Sequence, residues 1–428
     1  MDTQIDSQDS ESDTRFWGKL NAGLISGAAD DDPSGIATYS QVGAAFGYGM
    51  LWCIVLTMPL MIAIQAISAG IGRVTGHGLL DGMRKHYPHP LVYALAGLIF
   101  VANVINLAAD IGAMGAALKL LIGGPALAYA AGFAVLSLVL QIFIPFSRYS
   151  RILKLLTLSL FAYVATVLVI HVPWPSVLKS VVVPPITWSA AYAVGLVALL
   201  GTTISPYLFC WQASQEVEEI GTTRLRKSLR RAPKQAPNAF RRIGIDTTVG
   251  MIYSNLIAFF IILTAAVVLH AHGKSDIQSS SQAAEALRPL AGDLAFALFA
   301  AGIVGTGLLA VPVLAGATAY AVSGAFGQRS GLERTPHQAK FFYGVLVVAS
   351  LAGMALNLTP LDPIKALYWS AVINGVTAVP LMIVMMLMSS HKQVMGKFTI
   401  GWPLKIFGWL ATVAMAAAAI VMFATWGH

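Results

Sequence analysis

The stretch Asp30-Asp31-Asp32-Pro33-Ser34-Gly35 interrupts an otherwise apolar run near residues 21–47. A carboxylate inside a membrane span is costly and marks a functional position. Pro33 lacks a donor and its ring clashes with the preceding turn, while Gly35 loosens the backbone further. A spanning helix with this sequence unwinds near its middle, and the freed carbonyls survive in lipid only where protein, water or an ion satisfies them. A second interruption, Gly201-Thr202-Thr203-Ile204-Ser205-Pro206, divides another long apolar run.

Outward from these breaks the chain reads as membrane protein. Of 428 residues, 57% are hydrophobic and 11% charged, with a mean hydropathy of +0.72; soluble domains average roughly a quarter charged, so a compact soluble enzyme is excluded. A sliding window of about 19 residues gives roughly 11 spans, near 21–47, 49–72, 91–122, 124–147, 150–172, 187–218, 246–271, 291–323, 338–358, 362–388 and 403–425. They are long, continuous and rich in Ala, Leu and Ile, which selects helices over barrel strands of roughly 10 residues. Pro33 and Pro206 fall in spans one and six. An inverted repeat of five plus five helices produces that placement, with its discontinuous helices facing each other at the midplane. The expectation is an all-α polytopic protein with a first repeat over 21–172, a second over 187–388 and an extra helix over 403–425. Residues 1–20 are polar and acidic, without the basic n-region and short apolar core of a signal peptide, and read as a disordered cytoplasmic tail. Residues 21–428 form a single membrane domain.

Lys and Arg set the orientation. With a cytoplasmic N-terminus, 22 of the 27 fall on the inside, and only Lys119, Lys179, Lys274, Arg288 and Lys365 fall outside. His428 then lies outside. Eight of the inside charges, from Arg224 to Arg242, belong to a basic loop over 221–245. It reads mainly as a topology-fixing loop, with an anionic-lipid or regulatory patch as the other reading. No aromatic-interleaved platform or nucleic-acid motif accompanies it. Cys53 and Cys210 sit in apolar segments and give neither a disulfide framework nor zinc spacing. HExxH, GxSxG and Gly-rich phosphate motifs are absent, so the chain reads as no enzyme.

The breaks combine free carbonyls with an Asp carboxylate, and the natural ligand of such a pocket is a cation. An anion would prefer half-helix N-termini and a basic partner. Tyr207 has an unperturbed pKa near 10 and does not titrate near neutrality. Glu216, Glu218 and Glu219 end the sixth span, as an acidic funnel or, more simply, as partners of Arg224 or Arg226. Successive helical residues point about 100° apart, so Asp30, Asp31 and Asp32 are not expected to face one ion. His270 and His272 read as interfacial histidines. Trp52, Trp188, Trp402 and Trp426 read as interface anchors.

The run Asp32-Pro33-Ser34-Gly35-Ile36-Ala37-Thr38, continuing to Gly47-Tyr48, resembles the first helix of the NRAMP (natural resistance-associated macrophage protein) metal-ion transporters, which carry Asp-Pro-Gly-Asn before a similar apolar helix. The resemblance extends to Ala109-Asp110, to Gly201 through Pro206, and to Leu287 through Gly302. It implies a LeuT-like fold of about eleven or twelve helices that moves divalent metal ions by alternating access, usually manganese or iron with a proton. By position, the implied metal residues are Asp32, Gly35 in place of Asn, and Thr202 and Ser205 in place of Ala and Met. Asn374 stands near the polar tenth-helix position. Asp31, Asp110, Tyr207 and Glu216 are candidates for a second shell or permeation path.

Ser205 in place of Met makes the donor set harder, which suits magnesium, calcium or manganese. Losing the Asn side chain at Gly35 is expected to open space for a partly hydrated ion. The pattern resembles the NRAMP-related magnesium transporters and implies Mg²⁺ uptake, with Mn²⁺ as second substrate and no resident cofactor. The family's proton-relay positions read Leu107, Asp110 and Tyr207, and the ninth span has no interior Arg, so no obligatory proton coupling is expected. Asp110 reads equally as a residual relay or a packing residue. The alternatives are a proton-coupled Mn²⁺/Fe²⁺ transporter and a passive cation channel. The expected setting is a bacterial inner membrane, as a monomer in the lipid bilayer.

Overall fold

A computed structural model describes residues 22–144, 157–187, 189–222, 226–277, 280–359 and 362–425. The expected N-terminal tail, Arg148, Arg151, Lys154, Trp188, Arg224, Trp426 and His428 lie outside them. No strand occurs among the described residues, as expected where each backbone polar group must be satisfied within its own apolar segment. The main helices are α1 (Ala22–Asp30), α2 (Pro33–Phe46), α3 (Leu51–Thr75), α4 (His89–Ile122), α5 (Ala126–Phe143), α6 (Phe161–Val169), α7 (Trp174–Val182), α8 (Ala190–Thr203), α9 (Pro206–Thr222), α10 (Ala236–Val268), α11 (Ala295–Ala325), α12 (Lys340–Leu356), α13 (Pro363–Ser390) and α14 (Trp402–Thr425).

Among the described residues, eight helical stretches are long and apolar enough to cross a membrane, or nine with one bent pair counted as a span. The difference from the expected 11 has physical causes. Pro33–Thr75 is one helical run of 43 residues, which would measure about 65 Å if straight, twice the hydrocarbon core of about 30 Å. Gly47, at φ 57°, ends α2 within it, so the run holds the end of span one and all of span two. α12 has 17 residues and measures about 25 Å. The helical stretch of span five, residues 158–169, meets α7 at 117°. α7 itself is a helix in a segment left as loop by the hydropathy reading: Val177 is buried while Leu178 and Val182 are exposed.

α1 ends at Asp30 and α2 begins at Pro33; α8 ends at Thr203 and α9 begins at Pro206. Each Pro therefore takes the first helical position, where its missing donor costs nothing. The interruptions are shorter than expected, confined to Asp31-Asp32 and Ile204-Ser205. α10 packs along α1 and α2, α4 along α11, α9 along α3, and α8 against α13. Small residues permit the last contact: a Cβ on Gly201 would lie 2.1 Å from the Ala371 carbonyl oxygen and 2.4 Å from the Gly375 nitrogen.

The basic loop is shorter than 221–245, because residues 236–245 form the first turns of α10. Within it, Leu229 and Arg230 dock onto the end of α3, their amides donating to the carbonyls of Arg73 and Val74 at 3.1 and 3.3 Å.

Candidate metal site

Asp32 caps α2: its Oδ1 accepts from the Gly35 amide at 2.7 Å. The Asp-Pro pair is thus a helix cap, placed where the chain passes from α1 to α2. Its Oδ2 accepts from Asn106 Nδ2 on α4 at 3.1 Å and lies 3.4 Å from Tyr207 Oη on α9. Tyr207 Oη donates to the Ala29 carbonyl at 2.9 Å, which ties the start of α9 to the end of α1. The two breaks therefore meet through Tyr207, and Asp32, at 3% exposure, stands between them.

Gly35 faces α8. A Cβ there would lie 3.1 Å from the Asp30 carbonyl oxygen and 3.3 Å from Thr202 Cγ2. This corrects the expectation of open space, because neighbouring backbone and the Thr202 methyl close around the position. Thr202 Oγ1 is buried with no hydrogen-bond partner. Ser205 Oγ lies 2.9 Å from the Gly201 carbonyl and 2.7 Å from that of Thr202. Its single hydrogen is committed to that pair, and its lone pairs are left for another partner. On α13, Ser370 Oγ lies 3.3 Å from Ser34 Oγ. Asn374 stands one turn further along, 2% exposed, and its Oδ1 has no partner.

Asp110 is fully buried on α4, one turn from Asn106, with electrostatic contact to Asp32. Asp30 and Asp31 both turn toward α10: Ser254 Oγ lies 2.6 Å from Asp30 Oδ2 and 3.3 Å from Asp31 Oδ1. Asp32 turns the other way, toward Asn106, so the three carboxylates do not share one partner, although Asp30 and Asp31 do because the chain leaves the helix at Asp31. Asp31 is 0% exposed and Glu216 1%, so neither lines an open path in this conformation. Glu216 binds Arg242 at 2.6 Å, and Glu219 binds Arg242 at 2.8 Å and also Arg226. Glu218 instead accepts from Tyr320 and from the Leu332 and Glu333 amides.

The remaining candidates take structural places. His270 Nδ1 lies 2.7 Å from the Ala44 carbonyl. Trp52 Nε1 donates to Tyr192 Oη at 3.1 Å, and Trp402 is exposed at the start of α14. Among the described residues, no group of three His, Cys, Asp or Glu is arranged to hold a metal ion, so any cation at the breaks would draw on hydroxyl, amide and carbonyl oxygens as well. The sequence reading passed over Asn106, Ser254 and Ser370. Their only signal was a polar side chain inside an apolar span.

Residues 23–425 match the family model described as natural resistance-associated macrophage protein-like. The divalent metal cation transporter MntH of Klebsiella pneumoniae (strain 342) is 28% identical over 391 residues, covering 89% of this chain and 87% of the relative. MntH of Pectobacterium carotovorum subsp. carotovorum (strain PC1) is 25% identical over 402 residues, covering 90% and 89%. Among solved structures, a mutant of the Eremococcus coleocola manganese transporter superposes with a TM-score of 0.72 at 17% identity, covering 95% of this chain and 87% of that one. MhsT in complex with L-phenylalanine superposes at 0.60 and 14% identity, covering 94% and 98%. The fold is that of an all-α polytopic membrane protein with LeuT-like structural relatives. The chain belongs to the natural resistance-associated macrophage protein-like family, a family of secondary transporters.

Proposed function

We propose that this protein carries divalent metal cations across a membrane by alternating access, through a site built on Asp32, Thr202, Ser205 and Asn374, with the Gly35 position as part of its wall. The observation that carries the reading is the convergence of two helix breaks on one buried carboxylate, Asp32, joined through Tyr207. Two of the named relatives are divalent metal cation transporters and one is a manganese transporter, and on that ground we put Mn²⁺ first as substrate. Mg²⁺ stands beside it because carboxylate, hydroxyl, amide and carbonyl oxygens suit both ions, and Ser205 stands where the family's thioether would. Without the open space expected at Gly35, the case for magnesium rests on donor hardness alone.

Proton coupling is the second reading, favoured by Asp110, which is buried within electrostatic contact of Asp32. Its weakness is Tyr207, a group with an unperturbed pKa near 10 where a relay needs one near neutrality. The organisation we attach to this function is an inverted repeat, 21–172 and 187–388, plus the helix at 403–425. We place it as a monomer in a bacterial inner membrane, N-terminus inside and C-terminus outside.

The test is uptake of Mn²⁺ and Mg²⁺ into proteoliposomes with lumenal pH recorded. Saturable uptake of Mn²⁺, competed by Mg²⁺ and unaccompanied by lumenal acidification, is the expected result. Acidification with no Mg²⁺ competition would establish the proton-coupled reading instead. Asp32→Ala should abolish uptake, and near-normal flux would remove Asp32 from the site.

A further inference from the structure

Four carboxylates cluster about the first break without a cationic partner. Asp30, Asp31, Asp32 and Asp110 are 1%, 0%, 3% and 0% exposed, and none pairs with Lys, Arg or His among the described residues. A buried carboxylate is paired, coordinates a metal or takes up a proton, and one divalent ion at Asp32 balances two negative charges at most, so a second ion here would bind in exchange for protons. Asp32 accepts on Oδ1 from Gly35 and on Oδ2 from Asn106, with Tyr207 Oη a further 3.4 Å neighbour. Asp30 and Asp31 lie on the other flank of the break, toward α10, where one serine serves both. Ser254 has a single hydroxyl hydrogen to donate, and the 2.6 Å contact shows Asp30 receiving it. Asp30 Oδ1 and Asp31 Oδ2 have no partner.

Two further observations point to a ligand at this flank. α1 ends at Asp30, so its last carbonyls lack helical partners and the negative end of its dipole falls there. Tyr39 Oη is fully buried without a hydrogen-bond partner and lies in electrostatic contact with Asp30, Asp31 and Asp32.

We propose that Asp30, Asp31, the end carbonyls of α1 and the Tyr39 hydroxyl form a second binding site for a hard divalent cation, on the α10 side of the break and separate from the Asp32 site. Two carboxylates with neutral oxygens and retained waters make a donor set of the magnesium and manganese kind. The site lies beside Asp32, on the α1 side of the interruption, and gives an ion leaving Asp32 its next oxygen ligands. The inference rests on the divalent-cation reading above and deepens it.

The test is the number of Mn²⁺ ions bound by the purified full-length chain in nanodiscs, measured by equilibrium dialysis with Mn²⁺ electron paramagnetic resonance. The wild type should bind two ions. Asp32→Ala should bind one, and the isosteric pair Asp30→Asn with Asp31→Asn should also bind one. Tyr39→Phe, which keeps the buried ring, should weaken one of the two steps roughly tenfold. A wild type that binds one ion, lost in Asp32→Ala and retained in the double variant, overturns the second site while leaving Asp32 in its role. Two ions in Asp32→Ala with one in the double variant would overturn the Asp32 reading and keep the second site.

Discussion

Asp32 takes one donor on each oxygen, Gly35 on Oδ1 and Asn106 on Oδ2, and that gives the residue its sensitivity. Asn106 is its donor from α4, at 3.1 Å, and a hydrogen bond to a charged group is worth about 1.5–3 kcal/mol. Asn106→Leu should therefore raise the KM of Mn²⁺ uptake roughly tenfold or more and lower the melting temperature as well. A KM within twofold of wild type would show that Asn106 only packs. At Ser205 the hydroxyl serves the carbonyls of Gly201 and Thr202. Ser205→Met should shift uptake from Mg²⁺ toward softer Zn²⁺, read by competition, and unchanged selectivity would remove donor hardness as the controlling factor. The Asp-Pro pair at residues 32–33 was legible in sequence because a Pro and a charged neighbour act on the chain locally. Asn106 was not, because an Asn in an apolar span does not announce what it will meet 74 residues away.

Elements are held in place by close backbone approach and by buried ion pairs. α8 meets α13 where Gly201 and Gly375 touch, and a Cβ on Gly375 would lie 2.7 Å from the Val197 carbonyl oxygen. Gly201→Ala should force these helices apart at a cost of about 1–3 kcal/mol or more, lowering the melting temperature and the uptake rate together. An unchanged melting temperature would mean that the contact relaxes freely. At the far end of α9, Glu216 and Arg242 tie that helix to α10. Removing Arg242 strands a buried carboxylate, and breaking a buried pair by removing one partner costs about 3–5 kcal/mol. Arg242→Met should therefore destabilise the protein more than Glu216→Gln does, and the double variant should recover part of the loss. Additive losses, measured by thermal unfolding in detergent, would show that the two charges are not coupled. The Glu run and the basic segment were both visible in sequence, with local pairing as the favoured reading. Only the docking of Leu229 and Arg230 onto α3 and the early start of α10 brought Arg242 to Glu216.

Across the whole molecule the charge distribution predicts the sidedness. Cys53 and Cys210 are buried, so single cysteines introduced at exposed positions report alone. Lys179→Cys should react with an impermeant maleimide from outside intact cells, and Lys234→Cys only after the inner face is opened; the reverse pattern would invert the topology. Membrane residence, helical class and the position of both interruptions followed from sequence by itself. Those properties arise from the transfer of short apolar segments into lipid and from proline's missing donor, and each depends on a few neighbouring residues. Span counting was less secure: the spans divide at 47–49, where Gly47 turns the chain, but hydropathy does not register the 117° bend before α7. Only the tertiary structure decided which groups surround Asp32, that Gly35 is enclosed by Asp30 and Thr202, and that Asp30 and Asp31 share Ser254. The physical reason is that a hydrogen bond or a steric contact depends on separations of an ångström or less between helices far apart in the chain, which no local pattern encodes.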